Sequence, residues 1–399
     1  MKAVILAAGE GIRLRPFTIK RPKVMVPVVN KPILEYVIRA LSKCGIYEIV
    51  LVVGYKKESV MDYFSSGEDF GVNIVYVEQT QQLGTAHAIK QASEHINGSF
   101  LALNGDNLIE PQAINDLLEG SDAVTSILTV RRENTEGYGV ILVDGNNVTK
   151  IIEKPDRKVS DLVNTGTYIL QSEIFNEIDD TPISPRGEYD ITDTLERMIE
   201  KGVNVKAVHT SSNWADAAYP WNLLKVNSSI LNDTTLKNEG VVEEGVILKG
   251  DVVIGKNSII RAGSYIIGPV VIGSDCEIGP NVTITPSTSI GNNVFIQPYT
   301  VITNSILMND VKIGANSHVS STVIGENTRI GSAFVTEHAP SKAISSDEII
   351  PVDIGAVIGE NCRFGCRTMT KAGCIVGINC EIDSGKIVSK NLPNDSIVV

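Results

Sequence analysis

A period of six residues governs the apolar positions in the second half of the chain. A helix repeats about every 3.6 residues and a strand every two, so neither element alone produces this spacing. A coil of three short parallel strands does, because each strand then contributes one inward branched side chain. Isoleucine occupies every sixth position at Ile254, Ile260, Ile266, Ile272, Ile278, Ile284, Ile290, Ile296 and Ile302. The pattern predicts a parallel β-helix of hexapeptide repeats, with Gly255, Gly273, Gly279 and Gly291 where its backbone bends.

The repeat loosens after residue 302 but persists almost to the end of the chain. It is interrupted between Pro340 and Pro351. The later apolar positions are Ile313, Val319, Ile324, Ile330, Ile354, Ile358 and Ile378. A β-helix by itself says little about chemistry, because stacked coils serve as scaffolds, as trimerisation surfaces or as acyltransferase sites. The function has to be argued from the first half.

The first half alternates apolar strands with amphipathic helices. Strands are predicted over residues 2–7, 46–53, 72–77 and 100–103, and helices over 32–44 and 85–97. Such alternation predicts a doubly wound, Rossmann-like α/β sheet. Ligands bind beyond the carboxyl ends of the strands in that architecture. A helix is also predicted over 220–237, and the domains are expected at 1–225 and 241–399 with a helical linker at 226–240.

Composition and charge narrow the possible partners. The chain has 399 residues, a net charge of −12, 43% hydrophobic and 21% charged residues, as in a globular protein with two or three domains. The negative charge argues against a nucleic acid or an anionic membrane as partner. The short apolar N-terminus is not a secretory or membrane-spanning segment, which favours a cytoplasmic location. Of the six cysteines, Cys44 and Cys276 stand alone, and the four between residues 362 and 380 are interpreted as small side chains packed in narrow coils rather than as a metal site.

The first loop carries the candidate chemistry. It reads LAAGEGIRLRP from Leu6 to Pro16, in which Gly9 and Gly11 let backbone amides approach an anion and Arg13 can neutralise it. The loop matches neither the P-loop nor the dinucleotide-binding fingerprint. Asp106 follows another predicted strand directly. Both segments are expected at the same edge of the sheet.

Several motifs then occur in an order that resembles the sugar-1-phosphate nucleotidylyltransferases. After the first loop come Pro22-Lys23, Gln79, LGTA from Leu83, Gly105-Asp106-Asn107, Gly137-Tyr138-Gly139, Glu153-Lys154-Pro155, Asn164-Thr165-Gly166 and Trp214-Ala215-Asp216. The resemblance covers nearly the whole chain. It is strongest to archaeal enzymes similar both to glucose-1-phosphate thymidylyltransferase and to the bifunctional N-acetylglucosamine-1-phosphate uridylyltransferase. It implies that the predicted β-helix is left-handed.

The resemblance implies a Mg²⁺-dependent transfer of a nucleotidyl group to a sugar 1-phosphate, with release of pyrophosphate. Asp106 and Asp216 are the implied ligands of Mg²⁺. Arg13 would stabilise the departing pyrophosphate, Lys23 would hold the reacting phosphates, and Lys154 would bind the sugar 1-phosphate. No general base is implied, since a phosphate dianion is already a nucleophile.

Substrate-binding residues follow from the same resemblance. The implied nucleotide-binding residues are Leu6, Ala8, Gly9, Gly11, Gln79, Gly84 and Thr85, and those for the sugar phosphate are Gly139, Glu153, Lys154 and Asn164. An amide at position 79 favours the imide edge of UTP or dTTP. The sugar, glucose- or N-acetylglucosamine-1-phosphate, stays open, as does the choice of base. The chain departs from the family at Ile12, where threonine is usual, and we expect altered loop packing without loss of activity.

The second half raises the question of a second activity. In bifunctional relatives a histidine of the β-helix deprotonates the acetyl acceptor, but here Ala315 stands at that position, His318 follows where tyrosine belongs, and His338 replaces an asparagine. We therefore expect no acetyltransferase activity and interpret His318 as an outward-facing repeat residue. The resemblance implies a homotrimer formed through the β-helix. A bifunctional enzyme, a hexapeptide acyltransferase with an accessory domain, and a non-catalytic regulatory or assembly subunit are the alternatives.

Overall fold

A computed structural model describes residues 1–122, 124–232, 237–345 and 348–399. The contacts divide these residues into two compact units. The first comprises Met1–Glu10, Arg21–Met25 and Ile33–Asp216. The second comprises Gly11–Lys20, Val26–Pro32 and Ala217–Val399. The predicted domain limits at residues 225 and 240 stay predictions.

A nine-stranded sheet forms the centre of the first unit. In spatial order its strands are Asn73–Glu78, Glu48–Val53, Lys2–Ala7, Phe100–Asn104, Leu162–Leu170, Ser126–Arg131, Lys206–His209, Asn147–Ile152 and Val140–Asp144. The first four of these strands are parallel to one another. Leu162–Leu170 is antiparallel to its neighbour Phe100–Asn104, so it begins at the edge where the parallel strands end.

Helices cover both faces of this sheet. They are Ile33–Lys43, Lys57–Phe64, Thr85–Gln91, Pro111–Gly120, Ile174–Asp179 and Ile191–Glu200, with short 3₁₀ turns at Lys23–Met25, Glu68–Phe70 and Ser93–His95. Strand Lys2–Ala7 shows the two-sided burial, because Ala3 and Ile5 belong to one apolar cluster and Val4 to another. The predicted doubly wound α/β fold of the first half is confirmed.

The elements predicted in the first half occur with small shifts. The strand predicted over 46–53 begins at Glu48, and the strand predicted over 72–77 is Asn73–Glu78. The helix predicted over 85–97 ends at Gln91 and continues only as a 3₁₀ turn, Ser93–His95. Pro32 lies in the two-residue strand Lys31–Pro32, paired with Pro27–Val28, so the first helix starts at Ile33.

The second unit is a parallel β-helix with three sheets. The first sheet contains Lys237–Asn238, Val252–Ile254, Val270–Ile272, Thr288–Ile290, Ile306–Leu307, Val323–Ile324, Ala356–Ile358 and Cys374–Val376. The second contains Val241–Val242, Ile259–Ile260, Glu277–Ile278, Phe295–Ile296, Lys312–Ile313, Arg329–Ile330, Arg363–Phe364, Glu381–Ile382 and Ile397–Val398. The third contains Ile247–Lys249, Tyr265–Ile267, Thr283–Ile284, Val301–Thr303, His318–Ser320, Val335–Thr336, Met369–Thr370 and Ile387–Val388.

The isoleucines of the six-residue period form the core of this β-helix. All nine are at most 1% exposed, and successive members belong to the three sheets in turn. Ile254 lies beside Ile272 in the next coil, which is 18 residues long. Ile290 lies beside Leu307, and Leu307 beside Ile324, because these coils are one residue shorter; the coil from Ile358 to Val376 has 18 residues again. This shortening explains why the period loosens after residue 302.

The turn glycines are explained by close stacking of the coils. A Cβ on Gly255 would lie 2.5 Å from the Gly273 carbonyl carbon, which is closer than any side-chain atom can approach. Most positive backbone φ angles of the β-helix instead fall on asparagine and aspartate, such as Asn257 at 60° and Asp275 at 58°. The glycines therefore admit the neighbouring coil, whereas residues with short polar side chains make the sharp bend.

The interruption near residue 340 is an antiparallel hairpin. Its strands are Ala339–Ser345 and Glu348–Ile354, and the coil resumes at Ala356–Ile358. Ile344 and Ile349 face each other across the hairpin and are 54% and 64% exposed. The β-helix thus accommodates an inserted hairpin without losing its stacking.

The helix predicted over 220–237 is shorter than expected. It spans Asn222–Leu231, residues 233–236 lie outside the described residues, and Lys237 already belongs to a β-helix strand. Asn227 on this helix is fully buried, donates to the Ser287 carbonyl at 2.9 Å and accepts from the Ser289 hydroxyl at 2.6 Å. These bonds fix the helix to the β-helix.

Three of the four clustered cysteines pack as interpreted. Cys276, Cys362, Cys374 and Cys380 are buried in the coils, but Cys366 is exposed. Over the described residues, no cluster of three or more histidine, cysteine, aspartate or glutamate side chains is arranged to hold a metal ion.

A helix with the length and apolarity to cross a membrane is likewise absent from the described part of the chain.

Candidate active site

The predicted site residues of the first unit gather at one edge of the central sheet. The backbone N–H of Gly105 donates to the carbonyl of Leu6 at 2.9 Å, so the loop with Asp106 starts beside the first loop. The carbonyl of Ala8 accepts from the N–H of Tyr55 at 3.0 Å. A Cβ on Gly9 would meet nothing within 4 Å, so this backbone is open to an approaching group.

Asp106 and Asp216 are brought together by a two-stranded antiparallel ribbon. Its strands are Asn107–Ile109 and Trp214–Asp216, and Asp216 lies directly opposite Asn107. Asn107 is anchored in turn, because its amide donates to the carbonyl of Thr165 at 2.7 Å. Asp216 is therefore paired with the residue that follows Asp106, although the two carboxylates are distant in sequence.

Each of these carboxylates has a polar partner. Lys23 forms an ion pair with Asp106, and both side chains are mostly buried, at 17% and 22% exposed. The phenol of Tyr138 donates to Asp216 at 2.7 Å. Burial raises the pKa of Tyr138, and the charge of Asp216 raises it further, so the phenol stays a proton donor. Lys23 and Tyr138 thus hold the two carboxylates in place.

This donor set fits a magnesium ion. Mg²⁺ prefers hard oxygen ligands, keeps several waters, and is commonly held by one or two carboxylates together with substrate phosphates. Asp106 supplies a carboxylate beside the ammonium group of Lys23, and Asp216 supplies a second one from the strand residue opposite Asn107. A site that is completed by phosphate oxygens needs no third acidic residue, in keeping with the pair found here.

The predicted sugar-phosphate residues also converge. Glu153 follows strand Asn147–Ile152, and Gly139 precedes strand Val140–Asp144. Because Ile152 lies opposite Val140, Glu153 comes close to Gly139. A Cβ on Gly139 would lie 2.8 Å from Glu153 Oε2, and the Gly139 carbonyl accepts from the N–H of Asn164 at 2.9 Å. Lys154 Nζ lies 4.0 Å from Glu153 Oε1. Three separate strand ends thereby form one polar surface.

Lys154 has an unusual backbone conformation, and the side chain of Asn164 is held by two hydrogen bonds. Lys154 has a φ of 44°, in the sparsely populated left-handed region, and such strain clusters at functional sites. The Asn164 amide donates to the Tyr168 hydroxyl at 2.8 Å and accepts from the N–H of Gly166 at 3.0 Å. These two bonds fix the orientation of the Asn164 amide. Its oxygen can accept a second hydrogen bond and its nitrogen can donate a second one, so the amide can still bind a hydroxyl.

The predicted nucleotide residues form a second surface at the same edge. Gln79 follows strand Asn73–Glu78 and is 3% exposed. Gly84 has a φ of 106°, and a Cβ there would lie 2.5 Å from the Tyr189 carbonyl, so only glycine fits. The Thr85 hydroxyl accepts from the N–H of Ile191 at 2.9 Å. Thr85 therefore joins the start of its own helix to the start of the helix Ile191–Glu200.

Gly11 and Arg13 belong to the second compact unit, whereas the other predicted site residues belong to the first. Gly11 has a φ of 74° and precedes the 3₁₀ turn Ile12–Leu14. The guanidinium of Arg13 lies 5.6 Å from the centre of the Tyr219 ring, a cation–π distance. Ile12 is 55% exposed, so the residue that departs from the family pattern lies on the surface.

The structure adds residues that sequence reasoning left without a role. Tyr138 was noted only as part of a motif, and its contact with Asp216 depends on the ribbon. His87 lies on the helix that follows Gly84, and its Nδ1 lies 2.9 Å from Gln79 Nε2. Arg186 pairs with Glu153 at 3.3 Å and with Asp190 at 2.7 Å. Arg186 and Asp190 both precede the helix Ile191–Glu200, so no helical spacing in the sequence signalled their contact.

The two histidines of the β-helix differ in exposure and in their contacts. His318 is exposed on strand His318–Ser320, as expected for an outward-facing repeat residue. His338 Nε2 lies 3.1 Å from Asp353 Oδ1, and its Nδ1 lies 3.5 Å from the Ser320 hydroxyl. His338 and Asp353 are 37% and 66% exposed.

Two family models match most of the chain. The Nucleotidyl transferase family model matches residues 2–233, and the GMPPB C-terminal domain model matches residues 266–398. Among solved structures, a Bacillus anthracis protein described as a glucose-1-phosphate thymidylyltransferase, in complex with sucrose, is similar with a TM-score of 0.54 and 27% identity. The match covers 60% of this chain and 98% of that one.

Curated relatives match over nearly the full length. A bifunctional sugar-1-phosphate nucleotidylyltransferase/acetyltransferase of Sulfurisphaera tokodaii is 36% identical, over 98% of each chain. The bifunctional protein GlmU of Methanocaldococcus jannaschii is 34% identical, over 100% of this chain and 97% of the relative. The low-salt glycan biosynthesis nucleotidyltransferase Agl11 of Haloferax volcanii is 32% identical, over 91% of this chain and 99% of the relative. The chain belongs to the sugar-1-phosphate nucleotidylyltransferase family.

Proposed function

We propose that the protein transfers a nucleotidyl group from UTP or dTTP to glucose- or N-acetylglucosamine-1-phosphate, in a Mg²⁺-dependent reaction that releases pyrophosphate. The observation that carries this proposal is the ribbon that sets Asp216 opposite Asn107, next to the pair of Asp106 and Lys23. Two carboxylates and a buried ammonium group suit a reaction between two polyanions.

The chemistry is a displacement at phosphorus. An oxygen of the sugar 1-phosphate forms a bond to the α-phosphorus, and the bond to the departing pyrophosphate breaks. When bound, Mg²⁺ supplies charge neutralisation and alignment of the phosphates, with Asp106 and Asp216 as its protein ligands. Lys23 holds the reacting phosphates, and Lys154 binds the sugar 1-phosphate. The nucleophile is already an anion, so no side chain has to remove a proton.

Substrate binding is assigned to the two polar surfaces. Glu153, Asn164 and the backbone at Gly139 take the sugar hydroxyls, and Gln79 with the Gly84 backbone takes the base. The base is proposed to be uracil or thymine, since the amide at position 79 matches an imide edge. A UDP-glucose pyrophosphorylase solved with UDP-glucose, 25% identical with a TM-score of 0.52 over 58% of this chain, supports a pyrimidine nucleotide and glucose.

The first loop completes the proposed site. Leu6, Ala8, Gly9 and Gly11 are assigned to the nucleotide and Arg13 to the departing pyrophosphate. For Arg13 the support is the loop motif alone, since this side chain packs on Tyr219 within the second unit. Arg13→Ala is expected to lower kcat and leave the KM of the sugar phosphate unchanged.

A substrate matrix tests the proposal. Four nucleoside triphosphates are combined with glucose-, N-acetylglucosamine- and mannose-1-phosphate in the presence of Mg²⁺, and pyrophosphate release is followed. We expect turnover with UTP or dTTP and one of the first two sugars, and a loss of orders of magnitude in Asp106→Asn. No turnover in any combination would support a non-catalytic regulatory or assembly subunit.

Acetyl transfer is the second candidate, because relatives are described as bifunctional. We propose that it is absent, since Ala315 replaces the expected histidine and His318 is exposed. The pair of His338 and Asp353 is the arrangement that favours the alternative. CoA release from acetyl-CoA with glucosamine-1-phosphate, abolished by His318→Ala or His338→Ala, would establish that activity; no release is expected.

Assembly and location complete the proposal. We propose a homotrimer formed through the β-helix, supported by the exposed apolar residues Ile247 and Ile387 on its third sheet, at 49% and 59% exposed. Light scattering should then give three times the chain mass of 43.0 kDa.

A cytoplasmic location is supported by the six free cysteines.

A further inference from the structure

The buried amide of Gln79 is held by two acceptors. Its Nε2 lies 3.2 Å from the Gly84 carbonyl oxygen and 2.9 Å from His87 Nδ1. His87 lies on the helix Thr85–Gln91, one turn from its start, and Gln79 lies just after strand Asn73–Glu78. The loop between them therefore closes on itself through a side-chain amide.

The chemistry of these contacts fixes the orientation of the amide. A backbone carbonyl oxygen can only accept a hydrogen bond, so the Gln79 atom facing Gly84 must be the nitrogen. That nitrogen has two hydrogens, of which one goes to Gly84 and the other to His87 Nδ1. Both donors are then used within the protein. The side chain of Gln79 can offer a ligand only its oxygen, Oε1, which is an acceptor.

The contact requires His87 to be neutral, with its proton on Nε2. Partial burial lowers the pKa of His87, and the nearby ammonium of Lys90 lowers it further, so the neutral ring is favoured. Lys90 is itself paired with Asp179 of the helix Ile174–Asp179. Gln91 Nε2 lies 3.3 Å from the other ring nitrogen, but a neutral imidazole accepts at one nitrogen only, and the contact with Gln79 is shorter.

We propose that His87 is a positioning residue for base selection: its unprotonated Nδ1 holds the Gln79 amide so that Oε1 accepts from N3–H of uracil or thymine. This inference rests on the proposed function and names the residue that sets the preference of the same site. Cytosine presents an acceptor at N3, so it would place two acceptors against each other. An amide that could rotate would offer its N–H instead and accept cytosine.

Two substitutions separate positioning from packing. His87→Phe keeps an aromatic ring but removes the acceptor, whereas His87→Asn keeps an acceptor oxygen close to the Nδ1 position. We expect His87→Phe to raise the KM for UTP by about 10-fold, as for the loss of one oriented hydrogen bond. Its kcat at saturation should change little, and its ratio of kcat/KM for UTP over CTP should fall by about 10-fold. His87→Asn should keep the wild-type ratio.

His95→Phe is the matched control. His95 lies on the 3₁₀ turn Ser93–His95, and its backbone carbonyl accepts a hydrogen bond from the ammonium of Lys2. The same substitution at His95 keeps this carbonyl, so it should leave the ratio of kcat/KM for UTP over CTP unchanged. The inference is overturned if His87→Phe keeps the wild-type KM and ratio, or if a folded His87→Asn behaves like His87→Phe.

A second measurement uses the wild-type chain and does not depend on a variant folding. As the pH falls through the pKa of His87, Nδ1 gains a proton and stops accepting, so the preference for UTP over CTP should decrease. The two nucleotides carry the same triphosphate, so its titration cancels in the ratio. Because the pKa of His87 is lowered from its usual value, the decrease should occur only at acidic pH. A preference for UTP that rises as the pH falls, or that has already decreased near neutral pH, would contradict the proposal. Absence of pyrophosphate release with every triphosphate would instead refute the proposed function itself.

Discussion

The phenol of Tyr138 donates a 2.7 Å hydrogen bond to the carboxylate of Asp216. The ring of Tyr138 also packs edge-on against Trp214, with centroids 5.8 Å apart. The two contacts join the loop before strand Val140–Asp144 to the ribbon that carries Asp216. Tyr138 therefore restrains one of the two proposed magnesium ligands.

Tyr138→Phe removes this hydrogen bond and keeps the ring. Because Asp216 then has one less restraint, we expect kcat to fall by about 10-fold and the Mg²⁺ concentration at half-maximal rate to rise, with little change in melting temperature. Steady-state kinetics over a range of Mg²⁺ concentrations checks this.

Tyr76→Phe is the matched control for that variant. The Tyr76 hydroxyl also donates a hydrogen bond, to the Ser65 carbonyl at 2.8 Å, but it lies outside the proposed site. Its kcat and Mg²⁺ dependence should equal those of the wild type. Equal behaviour of the two variants would show that Tyr138 does not restrain a catalytic ligand.

Gly139→Ala tests the sugar surface. The added Cβ would lie 2.8 Å from Glu153 Oε2, so the carboxylate has to move. We expect the KM of the sugar 1-phosphate to rise by about 10-fold while the KM of the triphosphate stays unchanged, as when one hydrogen bond to a charged group is lost. Measuring both constants in one variant provides an internal control, and an equal rise in both would argue against the assignment.

The β-helix could be predicted from the sequence because its core obeys a local rule. Each isoleucine of the six-residue period occupies an equivalent place in its coil, so spacing alone located the core. The hairpin Ala339–Ser345 with Glu348–Ile354 was seen only as an interruption, since its apolar residues Ile344 and Ile349 are exposed and follow no inward repeat.

The candidate site was only partly predictable for a related reason. Strand-end positions placed Asp106 and the first loop at one edge, because parallel strands share their carboxyl ends. The pairing of Asp216 with Asn107 and the contact of His87 with Gln79 depend on chain segments that meet only in the folded protein. The packing of Arg13 on Tyr219 was likewise not visible in the loop motif.

Ile278→Ala tests the role of the six-residue period in stability. Ile278 is fully buried between Ile260 and Ile296 of adjacent coils, so the substitution leaves a cavity and should lower the free energy of unfolding by about 2–5 kcal/mol. Chemical denaturation at a fixed protein concentration measures this.

Ile397→Ala is the control for that measurement. Ile397 is 71% exposed on the last strand, and the same change there should cost less than about 0.5 kcal/mol. A cost at Ile278 no larger than at Ile397 would contradict the assignment of the period to the core.

The central claim is that Asp106 and Asp216 bind one divalent ion together with the substrates. Anomalous diffraction from crystals soaked with Mn²⁺ and the nucleotide sugar tests it most directly, because Mn²⁺ replaces Mg²⁺ at oxygen sites and scatters anomalously. We predict one peak in contact with an oxygen of each carboxylate and with a product phosphate, and its loss in Asp106→Asn. A bound nucleotide sugar with no ion between the two carboxylates would contradict the account.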